Sequence, residues 1–208
     1  VTRLEDKGYT VSGKAHVGEF GLDLLGEFSH YDKQKGSLRS ASAALVAQSS
    51  VKAALSVDVN GAARRGAALA GVDFLKPTYG TVSRYGLIAF ASSLDQIGPF
   101  SRTVEDSAAL LEVISGYDPH DSTSLNLPVE NYRASLNNDI KGMKIGVVKE
   151  LMSEGLAPDV QKALQAAIDT YKALGAEIVE ISLPNLKHSI GIYYILATAE
   201  CSSNLARF

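Results

Sequence analysis

Residues 75–102, LKPTYGTVSRYGLIAFASSLDQIGPFSR, interleave Gly, Pro, Ser and Asp with apolar runs too short for a core helix. That texture predicts a rigid, irregular floor beside a site rather than ordinary core. On its C-terminal side the pattern becomes regular. Thr103 with Asp106 three residues later is a capping-box start, Ala108, Leu111 and Ile114 repeat near helical spacing, and Gly116 stands at the stop. A helix over Thr103–Ser115 is expected. On the N-terminal side, Ser40–Ser56 is almost entirely Ala, Ser, Val and Leu, which predicts a small-sided helix packed within a larger fold. Residues 39–116 therefore form one section, two Ala-rich helical patterns around the floor.

The flanks differ in character. Residues 1–38 are polar, Gly-rich and without periodicity, and the charged run Tyr31–Lys35 reads as a solvated loop. Residues 117–142, with Pro119, Pro128 and the pair Asn137-Asn138, read as a long surface connection. Lys144–Val148 is a short strand, and Pro158-Asp159 opens a helix with Val160, Leu164, Ala167, Ile168, Tyr171 and Leu174 on one face. Gly175 stops that helix and Glu177–Ile181 is a second strand, so residues 143–182 form a βαβ unit with parallel strands. Ser189–Phe208 is helical in pattern and lacks a stop signal, as a chain cut within its fold would. Such a cut predicts an open sheet edge or an uncovered apolar face.

Composition narrows the function. A chain of 208 residues with 46% apolar content and a net charge of −3 is expected to be a globular protein of one domain or slightly more. It lacks the basic footprint of a nucleic-acid binder. The single Cys201 excludes an internal disulfide framework. The opening VTRLEDKGYT is too polar for a signal peptide and the apolar run Ile190–Ala199 too short to span a bilayer, so a cytoplasmic location without membrane contact is expected.

Several motifs are weaker than they look. Gly8 to Lys14 has the G-x4-G-K spacing of a phosphate loop, but Ala15 follows where the Mg²⁺-binding hydroxyl belongs, and an ordinary turn is the better reading. His16, His30, His120 and His188 are scattered without ligand spacing, so no metal is expected. There is no G-x-S-x-G elbow, and Ser92-Ser93 and Ser202-Ser203 lack an identifiable base. Asp58 and Arg64 bracket the turn Val59–Ala63, where a carboxylate and a guanidinium either clamp the turn in a two-pronged pair or stand as solvated charges.

The runs KPTYG (76–80), VSRYGL (82–87), AFASSLDQIGP (89–99) and RTVED (102–106) closely resemble the amidase signature family. Within it they are most similar to the A subunits of tRNA-dependent amidotransferases. The resemblance continues through Asp121–Ser124, Lys141–Ile145, Gly175-Ala176, Ser182–Pro184, Tyr193-Tyr194 and Ser202–Leu205. It is strong from about Leu75 onward and weak before, and this chain covers roughly the middle of such a protein.

The resemblance implies an α/β class: a layered amidase-signature fold, a mixed sheet flanked by helices, incomplete at both ends. It implies amide hydrolysis by a serine nucleophile, a second serine with a cis peptide and a lysine base, with Gly-rich backbone amides stabilising the oxyanion. Residues 1–38 would be a degenerate leading segment, 39–116 the signature core and 189–208 a cut helix. In these A subunits ammonia freed from glutamine passes to a partner subunit that uses ATP and Mg²⁺ on Glu-tRNA(Gln), so neither ATP nor metal is expected on this chain. The expected partners are the B and C subunits of a heterotrimer, with tRNA contacted only indirectly.

Aligned on Asp58 without gaps, the family's D-x-G-G-S-I-R is here Asp58-Val-Asn-Gly-Ala-Ala-Arg64. Ala62 stands at the nucleophile position, Leu38 at the cis-serine position, and the lysine falls upstream of Val1. No catalytic residue is therefore assigned. The resemblance assigns Asn60, Gly61 and Tyr193 to substrate binding and Asp58 and Arg64 to a structural clamp. Three readings follow: a degenerate or truncated A subunit without amidase activity, a pseudo-amidase holding a partner or small amide, or an enzyme completed by another chain. Ala62 argues against the last.

Overall fold

The computed structural model describes residues 1–18, 40–137, 139–152 and 155–208. The run Tyr31–Lys35, His30 and Leu38 lie outside the described residues. Two compact units are present, residues 1–136 with 195–208, and residues 137–194.

The first unit is built on a three-stranded antiparallel sheet ordered β1-β3-β2, where β1 is Ala54–Val57, β2 Asp73–Phe74 and β3 Ile97–Ser101. Side chains alternate across it. Ala54 and Phe100 point to one face, toward α2 (Ala41–Ala47) and α3 (Ala62–Ala70), and pack with Ala43, Val46, Ala63 and Ala67. Leu55 and Ile97 point to the other, toward α4 (Val104–Ile114), and pack with Leu110, Leu111 and Ile114. Phe100 is fully enclosed and its ring centroid lies 4.6 Å from that of Phe74.

A proline in a central strand is unusual because it cannot donate to the ladder. Here β2 ends at Phe74, so Pro99 only accepts, from the Leu75 amide at 3.1 Å. Beside it, a Cβ on Gly98 would stand 2.1 Å from the Leu75 carbonyl oxygen. Gly98 thus lets the start of the floor lie directly on the sheet.

The expected long helix from Ser40 to Ser56 is corrected. Ser40 caps α2 by accepting from the Ala43 amide at 3.4 Å, but the helix stops at Ala47. Ser49 then takes a positive φ of 59°, and Ala54–Val57 is recruited into the sheet by Ile97–Phe100. Pairing with a distant strand overrides local helix preference. The turn read at Val59–Ala63 is present over Val59–Gly61, its last two residues opening helix α3, and a short helix α1 (Thr2–Asp6) lies in the leading segment read as poor in periodicity. Arg3 on α1 donates to the carbonyls of Ile114, Ser115, Gly116 and Tyr117 and so caps the C-terminus of α4. Thr103 caps the other end, accepting from the Asp106 amide at 3.1 Å.

The second unit pairs β4 (Lys144–Val148) in parallel with β5 (Glu177–Ile181), with α5 (Pro158–Ala173) between them in sequence. Pro158 occupies the first turn of α5, where a missing N–H costs nothing. Glu150 accepts from the Ser182 hydroxyl and, at 3.0 Å, from the Leu183 amide, tying the segment after β4 to the segment after β5. Helix α6 (Ser189–Leu205) begins in this unit, and from Ile195 onward its residues belong to the first.

Candidate functional site

The candidate site is the turn from β1 into α3. The Asp58 amide donates to the Gln96 carbonyl at 2.8 Å, one step beyond the last β1–β3 pair. Gly61 then takes a φ of +93°, a left-handed conformation that glycine adopts without a Cβ penalty, and Ala62 opens α3. Asn60 is not among the described residues with positive φ. The turn's glycine requirement thus falls on Gly61, not on the position where Asn60 replaces a family glycine.

The amides of this helix start are taken up within the turn. Gly61 N donates to Asp58 Oδ1 at 2.7 Å, Ala62 N to Asn60 Oδ1 at 3.1 Å, and Arg64 N to Asp58 Oδ2 at 3.1 Å. Carboxylate and carboxamide act as caps for donors that a helix leaves unpaired.

Two cations hold the same carboxylate. Arg64 donates through Nε to Oδ2 at 3.0 Å and through Nη2 to Oδ1 at 3.1 Å, and Lys76 Nζ lies 3.5 Å from Oδ1. The Asp58 side chain is fully buried, whereas those of Arg64 and Lys76 are 53% and 26% exposed. Burial alone would raise the Asp58 carboxyl. The hydrogen bonds from Arg64 and from the Arg64 and Gly61 amides, with the Lys76 charge, bring it below the usual carboxylate value.

The structure therefore gathers Asp58, Asn60, Gly61, Ala62 and Arg64 at one turn and adds Lys76, which sequence reasoning missed. No local signal marks it, since it lies 18 residues from its partner. The Asn60 cap had a signal, because Asn before Gly commonly turns back on its own backbone. Ser40 caps α2 and its Cβ abuts Gly66 of α3, while Ser42 is buried in the first turn of α2. Tyr193 lies on the part of α6 assigned to the second unit, its ring 5.6 Å from that of Tyr194 in an edge arrangement.

The floor is cross-braced by side chains. Arg84 donates to the Ser92 carbonyl and, at 2.8 Å, to Thr123 Oγ1, and lies 4.5 Å over the Tyr79 ring. Asp95, almost fully buried, accepts from the Phe90 and Ala91 amides at 3.0 and 3.3 Å, and burial pushes its carboxyl up. Asp118 accepts from the Ser83 hydroxyl at 2.6 Å and from the His120 amide at 2.9 Å. From α6, Glu200 accepts from the Ser93 amide at 3.0 Å, and Asn204 donates to the Phe90 carbonyl at 3.1 Å. Among the described residues no cluster of three or more His, Cys, Asp or Glu is placed to hold a metal.

Comparison with known proteins gives this frame a family. The model of the Amidase family matches residues 1–208. The A subunit of the glutamyl-tRNA(Gln) amidotransferase of Geobacter sulfurreducens is 47% identical across the whole chain, and that of Alkalilimnicola ehrlichii 49%. The chain spans 45% of the length of each of those two relatives. The solved structure of the glutamyl-tRNA(Gln) amidotransferase A subunit from Thermotoga maritima superimposes with a TM-score of 0.89 at 37% identity, over 98% of this chain and 47% of the other. Sequence, family model and backbone agree: the chain belongs to the amidase family.

Proposed function

We propose that this chain is a non-hydrolysing portion of the A subunit of a glutamyl-tRNA(Gln) amidotransferase, retaining the frame of that protein without glutamine-hydrolysing chemistry. The observation that carries this reading is the start of α3. Ala62 is its first residue, and the two amides before and at that position already donate to Asp58 and Asn60. A methyl group cannot attack a carbonyl, and an amide held by a side-chain oxygen has no proton left for an oxyanion. Leu38, aligned with the second serine, supports the same conclusion from sequence.

On this reading the partners are the B and C subunits, the partner carries ATP and Mg²⁺, tRNA is reached only through the assembly, and the setting is cytoplasmic. Asn60, Gly61 and Tyr193 would mark the vestige of the amide pocket. The capped Gly61 and Ala62 amides favour retention of a protein partner over binding of a small amide.

The test is ammonia release from glutamine by the purified chain, alone and with B and C subunits, alongside co-elution of the three. No release above the blank is expected, and Ala62→Ser alone should not restore it. Robust turnover by the unmodified chain would overturn the proposal.

A further inference from the structure

Asn60 is the only asparagine of this chain that a glycine follows. An asparagine in that setting loses its side-chain ammonia when the next backbone nitrogen closes on its Cγ, and a glycine leaves that nitrogen uncrowded. The pair lies in the turn from β1 into α3, so its surroundings decide whether the folded chain hinders the closure or helps it.

The contacts of the turn serve the closure. Gly61 N, the attacking atom, donates to Asp58 Oδ1 at 2.7 Å, so a carboxylate stands ready to take its proton. Asp58 is held below the usual carboxylate value and is therefore ionised at neutral pH. Asn60 Oδ1 accepts from Ala62 N at 3.1 Å, which draws electron density from Cγ and receives the negative charge that attack places on that oxygen. Ala62 opens α3, and a helix N-terminus favours that charge. Gly61, at φ +93°, carries no Cβ beside the closing ring. The grip of Arg64 on Asp58 keeps the turn in one arrangement, which spares the reacting groups an entropic search. Asn60 and Gly61 are half-buried, so water reaches a ring formed there.

We propose that the Asn60-Gly61 peptide is a self-modification site, at which the folded turn drives loss of the Asn60 side-chain amide. Gly61 N bonds to Asn60 Cγ as its proton passes to Asp58 Oδ1. The Cγ–Nδ2 bond then breaks, and Nδ2 leaves as ammonia with that proton. A cyclic imide remains, and water adds to either of its carbonyls. Addition at Cγ breaks the new bond and leaves an aspartyl residue. Addition at the backbone carbonyl breaks the original peptide bond and leaves an isoaspartyl linkage. The balance is one water in and one ammonia out, with nothing oxidised or reduced. The aspartyl form sets a second carboxylate beside Asp58, and the isoaspartyl form adds a methylene to the main chain within the turn. Either product loosens the frame that Asp58 holds, and neither depends on whether Ala62 abolishes glutamine hydrolysis.

The folded chain should be incubated at neutral pH without glutamine, beside the same chain in urea and a synthetic peptide of residues 53–64. Mass mapping of the tryptic segment 53–64 follows the exchange of amide for acid, and an isoaspartyl methyltransferase labels the isoaspartyl product. The folded chain should convert Asn60 at least about threefold faster than the peptide, because the turn aligns the reacting groups beforehand. In urea the rate should fall to that of the peptide. Asn60→Gln, whose ring closure needs one more atom, should abolish the conversion. A folded chain that converts no faster than the peptide would overturn the proposal, and so would conversion that survives Asn60→Gln. Glutamine is left out and the readout is one covalent change per chain, so this test and the test of glutamine hydrolysis fail independently.

Discussion

Arg64 grips the buried carboxylate of Asp58 with two nitrogens, Nε on Oδ2 at 3.0 Å and Nη2 on Oδ1 at 3.1 Å. The same two oxygens take the amides of Gly61 and Arg64, so one side chain fixes both the turn and the first turn of α3. Asp58→Ala would remove the buried acceptor that these donors share and should cost about 2 kcal/mol in urea unfolding followed by circular dichroism. Arg64→Lys, which keeps the charge but loses the fork, should cost about 1 kcal/mol. An Arg64→Lys variant as stable as the unmodified chain would contradict the two-pronged role of Arg64.

Asp118 lies well below its ordinary value, at about 2, because the Ser83 hydroxyl and then the His120 amide and ring donate to it. A lowered carboxyl contributes stability above its unfolded value of 3.8, and loses it as pH falls through about 2. A carboxyl ¹³C titration should give a midpoint near that lower value. Ser83→Ala should move it upward, toward 3.8.

Gly98 and Gly13 should respond very unequally to alanine. A Cβ at Gly98 would meet the Leu75 carbonyl oxygen at 2.1 Å and Phe74 Cζ at 2.9 Å, both at the β2–β3 contact, whereas one at Gly13 meets nothing within 4 Å. Gly98→Ala should destabilise by about 3 kcal/mol, the upper range for overpacking, and Gly13→Ala by less than about 0.5 kcal/mol. Thermal melts of the two variants side by side would decide it.

Glu200 reaches from α6 to the Ser93 amide and hydroxyl. Glu200→Ala should accelerate hydrogen exchange at Ser93 about fivefold, equivalent to about 1 kcal/mol for one net hydrogen bond. Exchange at Asp58 N, which donates to the Gln96 carbonyl, should stay unchanged. Acceleration at both would mean that the whole floor, not one brace, had loosened.

Elements with complete local signals were legible in the sequence. Helix α4 carries its cap at Thr103, its apolar spacing and its stop at Gly116, and the structure places it at Val104–Ile114. The pattern Lys144–Val148, Pro158–Ala173 and Glu177–Ile181 likewise states its own strand–helix–strand order. Ala54–Val57 and Ala62–Ala70 were not legible. The first looks helical until Ile97–Phe100 pairs with it, and the second is disguised by Asn60 and Gly61 just before it and Gly66 within it, residues that suit a turn. Gly66 is required there because Ser40 Cβ would stand 2.7 Å from any Cβ in its place.

The candidate site divides along the same line. That Ala62 is no nucleophile follows from composition at one position, and the family is written in the runs from Lys76 to Asp106. Which donors remain for chemistry was decided by contacts. Lys76 joins Arg64 on Asp58 only when the floor is laid against the sheet, and the Ala62 amide is used up only when Asn60 folds over the start of α3. Identity needs only the order of side chains along the chain. Hydrogen-bond partnership depends on distances of a few ångströms, and for residues far apart in sequence those distances exist only after the strands have paired.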